Sequence, residues 1–448
     1  MMNYEQKASS TPGRRIGLRK LLFLFALLVV LAGFGLLFIG NLIDFPVYYA
    51  AGRSLLSGRT DFYAPDFALG RVMDYRYPPF FLFAVLPLSL IPYPIAAYLW
   101  YLFCAAAVAG CAVIVGRVFD GLRASKTMSV LVALAVAQYF VMALHYGNAH
   151  LFAVFLLFAS LWLFLQRKDL PAAVLISLAI TIKLTPALLL PYFALKKRWT
   201  LLVATLGCLI ALNLAPSIYF GFSGNNQLLR AWYGHVIESQ AFHEDNGPIN
   251  LSLKGELRRY LSPVDYSQRV DGDVRYPNVN VLDASRETTE QVWMAIAATI
   301  FVAVLVFVMW RSIPTMDSEA KPQRDLISLE LGLMICLGLF AGPLTSKIYF
   351  IALLWPVACL ADFAATRNDQ AAGRFVFRAL AVVAGLNVVL PLLPGRSVQR
   401  WLLVVGADFY VNLLLMATLV YVLMIQSRSL RSQSVEPQTQ VPSEARTP

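Results

Sequence analysis

From Leu21 to Gly40 the chain runs for twenty residues without a charged side chain. At about 1.5 Å per residue, such a run crosses a bilayer core of ~30 Å as one helix. Further apolar runs cover about 95–116, 128–144, 151–165, 199–220, 292–310, 327–346, 348–361, 377–394 and 402–425. Charged residues make up only 14% of the 448 and hydrophobic ones 58%, where an average soluble domain carries roughly 25% charge. This balance excludes a disordered chain, a soluble multidomain enzyme and a nucleic-acid binder with a charged surface. It predicts an all-α polytopic protein whose main solvent is lipid.

The net charge of +11 sits in short clusters between the runs, the pattern by which membrane proteins fix their orientation. Lys7, Arg14, Arg15, Arg19 and Lys20 precede the first run, which shows no small-x-small cleavage site and so reads as a retained span. Cytoplasmic loops are then expected at Arg117 to Lys126, Arg167 and Lys168, Lys196 to Arg198, Arg311 to Arg324 and Arg367 to Arg378. The connections 41–94 and 221–291 fall outside, with the proline- and aromatic-rich stretch 79–92 along the outer interface. Expected boundaries are a cytoplasmic tail over 1–20, a membrane domain over 21–425 and a disordered cytoplasmic tail over 426–448, with both termini cytoplasmic.

One segment breaks the alternation. Residues 171–195 have basic clusters on both sides, with Lys183-Leu184-Thr185-Pro186 between them. A single span would place one cluster outside. A re-entrant hairpin turning near Lys183, broken by Thr185-Pro186, keeps both inside. The count is then about ten spans plus this hairpin.

Polar chemistry collects on the outer side. Asp44 follows the first span. His145, Asn148 and His150 sit in the tight turn between the third and fourth spans, His235 and His243 in the second long loop, and Lys347 in a later turn. Lys183 reaches toward them from the hairpin tip. A lysine in an apolar segment costs roughly 2.5–3.5 kcal/mol at the bilayer centre unless paired or hydrated, which marks Lys183 for function. Taken singly, Asp44 also reads as a helix cap, the two histidines as interfacial residues satisfying loop backbone, and Lys347 as a lysine extended to the headgroups. Asp408, about two turns into the last span, reads as the partner of a buried donor.

The first outer loop carries Tyr48, Tyr49, Tyr63, Tyr75, Tyr77, Arg53, Arg59, Arg71 and Arg76. Tyrosine faces suit sugar rings and an interfacial belt alike, and arginine suits phosphate. The second carries Asn250-Leu251-Ser252-Leu253-Lys254-Gly255, then Arg258 and Arg259, as an irregular loop entering a short helix. The five cysteines lie inside apolar runs and read as packing residues. No phosphate-binding glycine loop and no metal-ligand spacing occurs, so neither cofactor nor metal is expected.

Several stretches resemble glycosyltransferase family 87, whose best-known members are polyprenol-phosphate-mannose-dependent mannosyltransferases. They are Asp44-Phe45-Pro46-Val47-Tyr48-Tyr49 through Gly58, Tyr77-Pro78-Pro79-Phe80, the turn Tyr146-Gly147-Asn148-Ala149-His150, Lys183-Leu184-Thr185-Pro186, and Asn250-x-Ser252-Leu253-x-Gly255. In Lys347-Ile348-Tyr349 the chain departs from the family, which usually has histidine there; Lys347 is the candidate substitute cation. The resemblance implies a GT-C-type fold and inverting transfer of a hexose, mannose first, from a polyprenyl-phosphate donor. The receiving hydroxyl would belong to a glycolipid, polysaccharide or protein on the outer face of the plasma (inner) membrane. It implies Asp44 as general base. Lys183, Lys347, Arg258, His145, His150, Asn148, Tyr48, Arg53 and Asn250 would hold the donor phosphate or sugar. The alternative is a transporter or flippase for a lipid-linked or anionic substrate, which predicts a polar path inward from Lys183. The sequence shows almost no charge between Lys183 and the cytoplasmic loops.

Overall fold

The computed structural model describes residues 33, 35, 40, 42–64, 75–243, 247–263, 276–311, 321–367 and 370–435. The expected tail 1–20 and nearly all of the span 21–40 lie outside these. Among the described residues every regular element is helical.

Proline and glycine set the boundaries. Helices α1 (Phe45–Leu56) and α2 (Pro79–Ser89) pack together, each with a proline in its first turn, where the missing N–H leaves no bond unmade. Pro92 precedes α3 (Tyr93–Val118), and one short turn, α4 (Asp120–Ala124), leads to α5 (Lys126–Tyr146). Ser125 caps α5 by accepting the Met128 N–H at 3.3 Å, and Gly147 ends it in the left-handed region at φ 63°. Next come α6 (His150–Leu165), α7 (Asp169–Ile182), a 3₁₀ turn (Thr185–Leu188) and α8 (Leu189–Leu195). Helices α9 (Trp199–Leu214) and α10 (Ser217–Trp232) follow, bent from each other by 93° across Ala215-Pro216. A π-helical stretch, Tyr233–His243, carries His235 and His243. The remainder is α11 (Leu253–Leu261), α12 (Arg286–Arg311), α13 (Lys321–Ala341), a 3₁₀ stretch (Lys347–Leu353) running into α14 (Leu354–Thr366), α15 (Ala371–Leu392), α16 (Arg396–Val405) and α17 (Ala407–Val435).

Six helices among the described residues are long and apolar enough to cross a bilayer, and the bent α9–α10 pair makes a seventh if it counts as one crossing. They cover Tyr93–Val118, Lys126–Tyr146, Arg286–Trp310, Lys347–Thr366, Ala371–Leu392 and Ala407–Arg428. The protein is a multi-pass membrane protein, all-helical in its described residues.

The segment after α6 folds back on itself. Arg198, at the start of α9, forms a two-pronged ion pair with Asp169, at the start of α7. The two ends of the intervening stretch therefore meet. Helix α7 has 14 residues, about 21 Å of rise, too short to cross, and the 3₁₀ turn and α8 bring the chain back. Lys183 sits at the turn with extended backbone, φ −146° and ψ 126°.

Two expectations are corrected at the base of this hairpin. Lys196 is not a loop cation; it is buried, and its Nζ lies 2.7 Å from Glu330 Oε2 in α13. Glu330 also accepts the Tyr192 hydroxyl at 2.8 Å. The run 327–346 therefore contains a charge the apolar pattern concealed, and charge does lie between Lys183 and the basic loops, neutralised as a pair. A third correction concerns the last span, expected over 402–425. Gly406 at φ 77° separates amphipathic α16 from α17, so Asp408 stands in the first turn of α17 rather than two turns in. Helix α17 continues to Val435, ten residues beyond the expected boundary at 425.

Removing one partner of a buried ion pair leaves an uncompensated charge at a cost of about 3–5 kcal/mol. Lys196→Met is expected to destabilise the detergent-solubilised protein by that order, and Lys196→Met with Glu330→Leu to recover most of it. Thermal unfolding of the two variants measures this; equal melting of the single variant and the parent chain would remove the pair from the account.

Candidate active site

The site begins where α1 meets the end of α5. The Ile43 and Asp44 N–H groups donate to the Tyr146 carbonyl at 3.2 and 2.9 Å, satisfying an orphan acceptor of a helix C-terminus. Asp44 occupies the N-cap position of α1, yet its side chain does not cap that helix. It accepts instead from Asn148 Nδ2 at 2.7 Å. The other end of the Asn148 amide accepts the His150 N–H at 2.7 Å, which fixes the direction of the amide and starts α6. Gly147 makes the turn possible, and its carbonyl takes the Trp100 indole N–H at 2.7 Å.

Asp44 is only 9% exposed. Burial pushes its carboxyl up to about 6, while the Asn148 hydrogen bond and the nearby positive charges of Lys183 and Arg76 hold it back from rising further. Asp44 and Lys183 thus share one electrostatic environment, brought together from α1 and the hairpin tip. Lys183 Nζ hydrogen-bonds the Tyr349 hydroxyl and lies 3.9 Å from the centre of the same ring. That ring sits 4.6 Å from the ring of His150, whose two nitrogens are buried and reach no hydrogen-bond partner among the described residues.

Aromatic side chains wall the acid. The Tyr48 and Tyr77 hydroxyls are 2.8 Å apart, and Tyr48 also accepts the Ala149 N–H at 3.3 Å. Tyr77 stacks on Phe81 at 4.3 Å, and its carbonyl takes the Tyr63 hydroxyl at 2.7 Å. Trp232, from the end of α10, donates to the Arg76 carbonyl at 3.3 Å.

Of the residues singled out in the sequence, Asp44, Tyr48, Asn148, His150 and Lys183 come together. The others are placed elsewhere or already engaged. Lys347 Nζ lies 3.4 Å from Asp408, which also accepts the Tyr139 hydroxyl at 2.8 Å, so its charge is balanced against α17. Asn250 ties its loop to the one after α13: its amide donates to the Pro343 carbonyl at 2.9 Å and accepts the Thr345 N–H at 3.0 Å. Arg258 donates to Ser262 at 2.9 Å, one turn along its own chain. Arg53 is exposed on α1, and His145 ends α5 with its ring 6.2 Å from that of Tyr146. The fold adds Arg76 and Tyr349 to this group. The first directly precedes the Tyr77-Pro78-Pro79-Phe80 motif, and the second stands where the family usually has histidine.

A second acid is also shifted. Burial pushes Glu256 in α11 up to about 7, against the pull of Arg259. It is only 5% exposed, paired with Arg259 and packed against Gly406, where an added methyl would collide with its carboxylate. Those contacts give Glu256 a structural role. Among the described residues no group of three or more His, Cys, Asp or Glu gathers as metal ligands.

Residues 75–337, more than half of the chain, match glycosyltransferase family 87. The chain belongs to that family. Two curated proteins similar to it are each called polyprenol-phosphate-mannose-dependent alpha-(1-2)-phosphatidylinositol pentamannoside mannosyltransferase. The one from Mycolicibacterium smegmatis is 27% identical over 235 residues, 50% of this chain and 53% of that protein. The one from Mycobacterium tuberculosis is 29% identical over 167 residues, 35% and 37% respectively. The chain thus matches about half the length, or less, of these curated relatives. No solved structure matches it. The family 87 match takes in Arg76, Asn148, His150 and Lys183; Asp44 and Tyr349 lie outside its limits and join the group through the fold.

A hydrogen bond to a carboxylate favours its charged form. Asn148→Ala is therefore expected to move the Asp44 titration above about 6. Infrared titration of the carboxyl band, differenced against Asp44→Asn, reads the shift; an unmoved midpoint would detach Asn148 from the acid.

Proposed function

We propose that this protein transfers a hexose, mannose first, from a polyprenyl-phosphate donor to an acceptor hydroxyl, with inversion at the anomeric carbon and Asp44 as general base. The observation that carries the reading is a buried carboxyl pushed up to about 6 beside the ammonium of Lys183. The acceptor oxygen attacks the anomeric carbon and gives its proton to Asp44, while the bond from that carbon to the phosphate oxygen breaks. The sugar leaves one lipid and joins the acceptor; polyprenyl phosphate departs carrying the bonding pair, and Asp44 returns its proton to water. A base whose pKa lies near working pH combines availability with driving force.

The leaving phosphate is already an anion, so it calls for cations rather than an acid. An ammonium has three donors, and Tyr349 engages one of those on Lys183. The remaining donors, with the Arg76 guanidinium, would stabilise charge developing on the phosphate. Half-buried Tyr77 would meet the sugar, whereas Tyr48, 3% exposed and packed against Tyr77, Phe81 and Trp100, supports that wall from behind instead of touching the sugar itself.

The architecture would be of the GT-C type, spanning 21–425, with the site at the extracytoplasmic boundary of the plasma membrane and both termini in the cytoplasm. A polyprenyl donor keeps its tail in lipid while its phosphosugar meets water, and a boundary site suits both ends. Helix α10 supports this placement. It ends against the Arg76 carbonyl, while Ile218, Tyr219 and Phe222 at its start are strongly exposed and apolar, a surface fitted to a lipid tail. As the acceptor, a glycolipid is the first to assay, because the relatives' names carry one.

Asp44→Asn is expected to lower sugar transfer by about 10²–10⁴-fold, the usual contribution of a general base, without loss of membrane insertion. Incubation of the purified variant with polyprenyl-phosphate mannose and lipid acceptors, read by mass spectrometry, tests this; turnover equal to the parent would remove Asp44 from the mechanism. Because only the ionised carboxylate accepts a proton, kcat/KM is expected to fall as pH drops through about 6. An acid limb near 4, the ordinary carboxylate range, would contradict a buried base.

A further inference from the structure

The base of the hairpin, at the far end of α7 from Lys183, holds a second site of different chemistry. A cavity of about 270 Å³ opens there between the end of α6, the start of α9 and the start of α13. Arg167, Arg198 and Arg324 line it together with Gln166 and Gln323, over a floor that includes Ile327. Three separate stretches of chain thus deliver one guanidinium each to a single opening.

The charges there do not cancel. Asp169 pairs with Arg198, whose guanidinium also lies 4.9 Å from the centre of the Phe164 ring. Arg167 and Arg324 are exposed and in no contact ion pair among the described residues, with Arg324 feeling Asp325 only through space. Asp325, next to Arg324 in sequence, lines a neighbouring cavity with Lys321 and Asp362. Two exposed guanidiniums outside any contact ion pair, and two amides, around a small hollow match the donor demands of a phosphate group.

A second observation bears on where that phosphate comes from. Helix α9 starts directly after Arg198, and along it Trp199, Val203, Leu206, Ile210 and Leu214 are all exposed. Their spacing of three and four residues places them on one face. An apolar stripe thus leads away from a basic cavity along the same helix, as a headgroup site continuing into a surface for acyl chains.

We propose that this cavity binds the phosphate headgroup of an anionic membrane lipid, whose acyl chains lie along the exposed face of α9. The lipid would bridge α6, α9 and α13 at the hairpin base, independently of the chemistry at Asp44.

The probe is phosphatidylglycerol, compared with phosphatidylcholine and with inorganic phosphate, on the purified full chain in neutral detergent. Native mass spectrometry reads lipid retention and thermal unfolding reads stabilisation. Phosphatidylglycerol is expected to be retained preferentially and to raise the melting temperature. Arg167→Gln with Arg324→Gln leaves the Arg198–Asp169 pair intact and is expected to weaken that preference by about 25-fold, at about fivefold per charge. Should the double variant fail to fold, Arg167→Gln alone is expected to show the single step. Arg59→Gln, at an exposed local pair with Asp61, is expected to change nothing. Equal retention of the two lipids, an undiminished preference in the double variant, or equal protection by millimolar inorganic phosphate would each overturn the assignment.

Discussion

A charged lysine cannot be left in hydrocarbon without solvation, and the arrangement of this protein follows from where that solvation is supplied. Lys183 stands at the turn of a helical hairpin whose two ends meet at the Arg198–Asp169 pair. Its ammonium meets the hydroxyl and face of Tyr349 on one side and the field of Asp44 on the other. Each of these comes from a different part of the chain. Charged groups hold the hairpin at its base: Arg198 on partly buried Asp169, and Lys196 and Tyr192 on buried Glu330. Electrostatics at the base fixes geometry at the tip.

The same economy of contacts appears around Asp44. One asparagine orients the acid with its amide nitrogen and starts the next helix with its amide oxygen. Neither end can move without disturbing the other, so the acid is preorganised by the start of α6. Tyr48 acts similarly, with one hydroxyl joining Tyr77 and the Ala149 N–H. The walls of the site are thus built from the same bonds that close its turns.

Much of this was legible in the residues. Long apolar runs marked the candidate membrane helices, and the basic clusters on both sides of 171–195 suggested a hairpin, whose two ends meet at the Arg198–Asp169 pair. Asp44, Asn148 and His150 stood out as uncommon polar groups gathered on one side, and Lys183 as a charge inside an apolar segment. What escaped were residues whose meaning depends on a distant partner. Glu330 is one acid inside an apolar run, and nothing nearby in sequence announces Lys196. Lys347 looked like a free cation because Asp408 lies some sixty residues further on. Asn250 carries a motif that suggests ligand contact, yet its amide is consumed in joining two loops. Arg76 hid among several arginines of one loop, and only the fold distinguishes it from exposed Arg53.

The position of Tyr349 has a practical corollary. The family 87 match ends at residue 337, whereas the ring that seats the hairpin ammonium comes twelve residues later, in a stretch itself tethered through Lys347 to the first turn of the final helix. A fragment cut at the limit of recognisable homology would keep the lysine and discard its seat. Expression boundaries for this protein should therefore be drawn beyond α17.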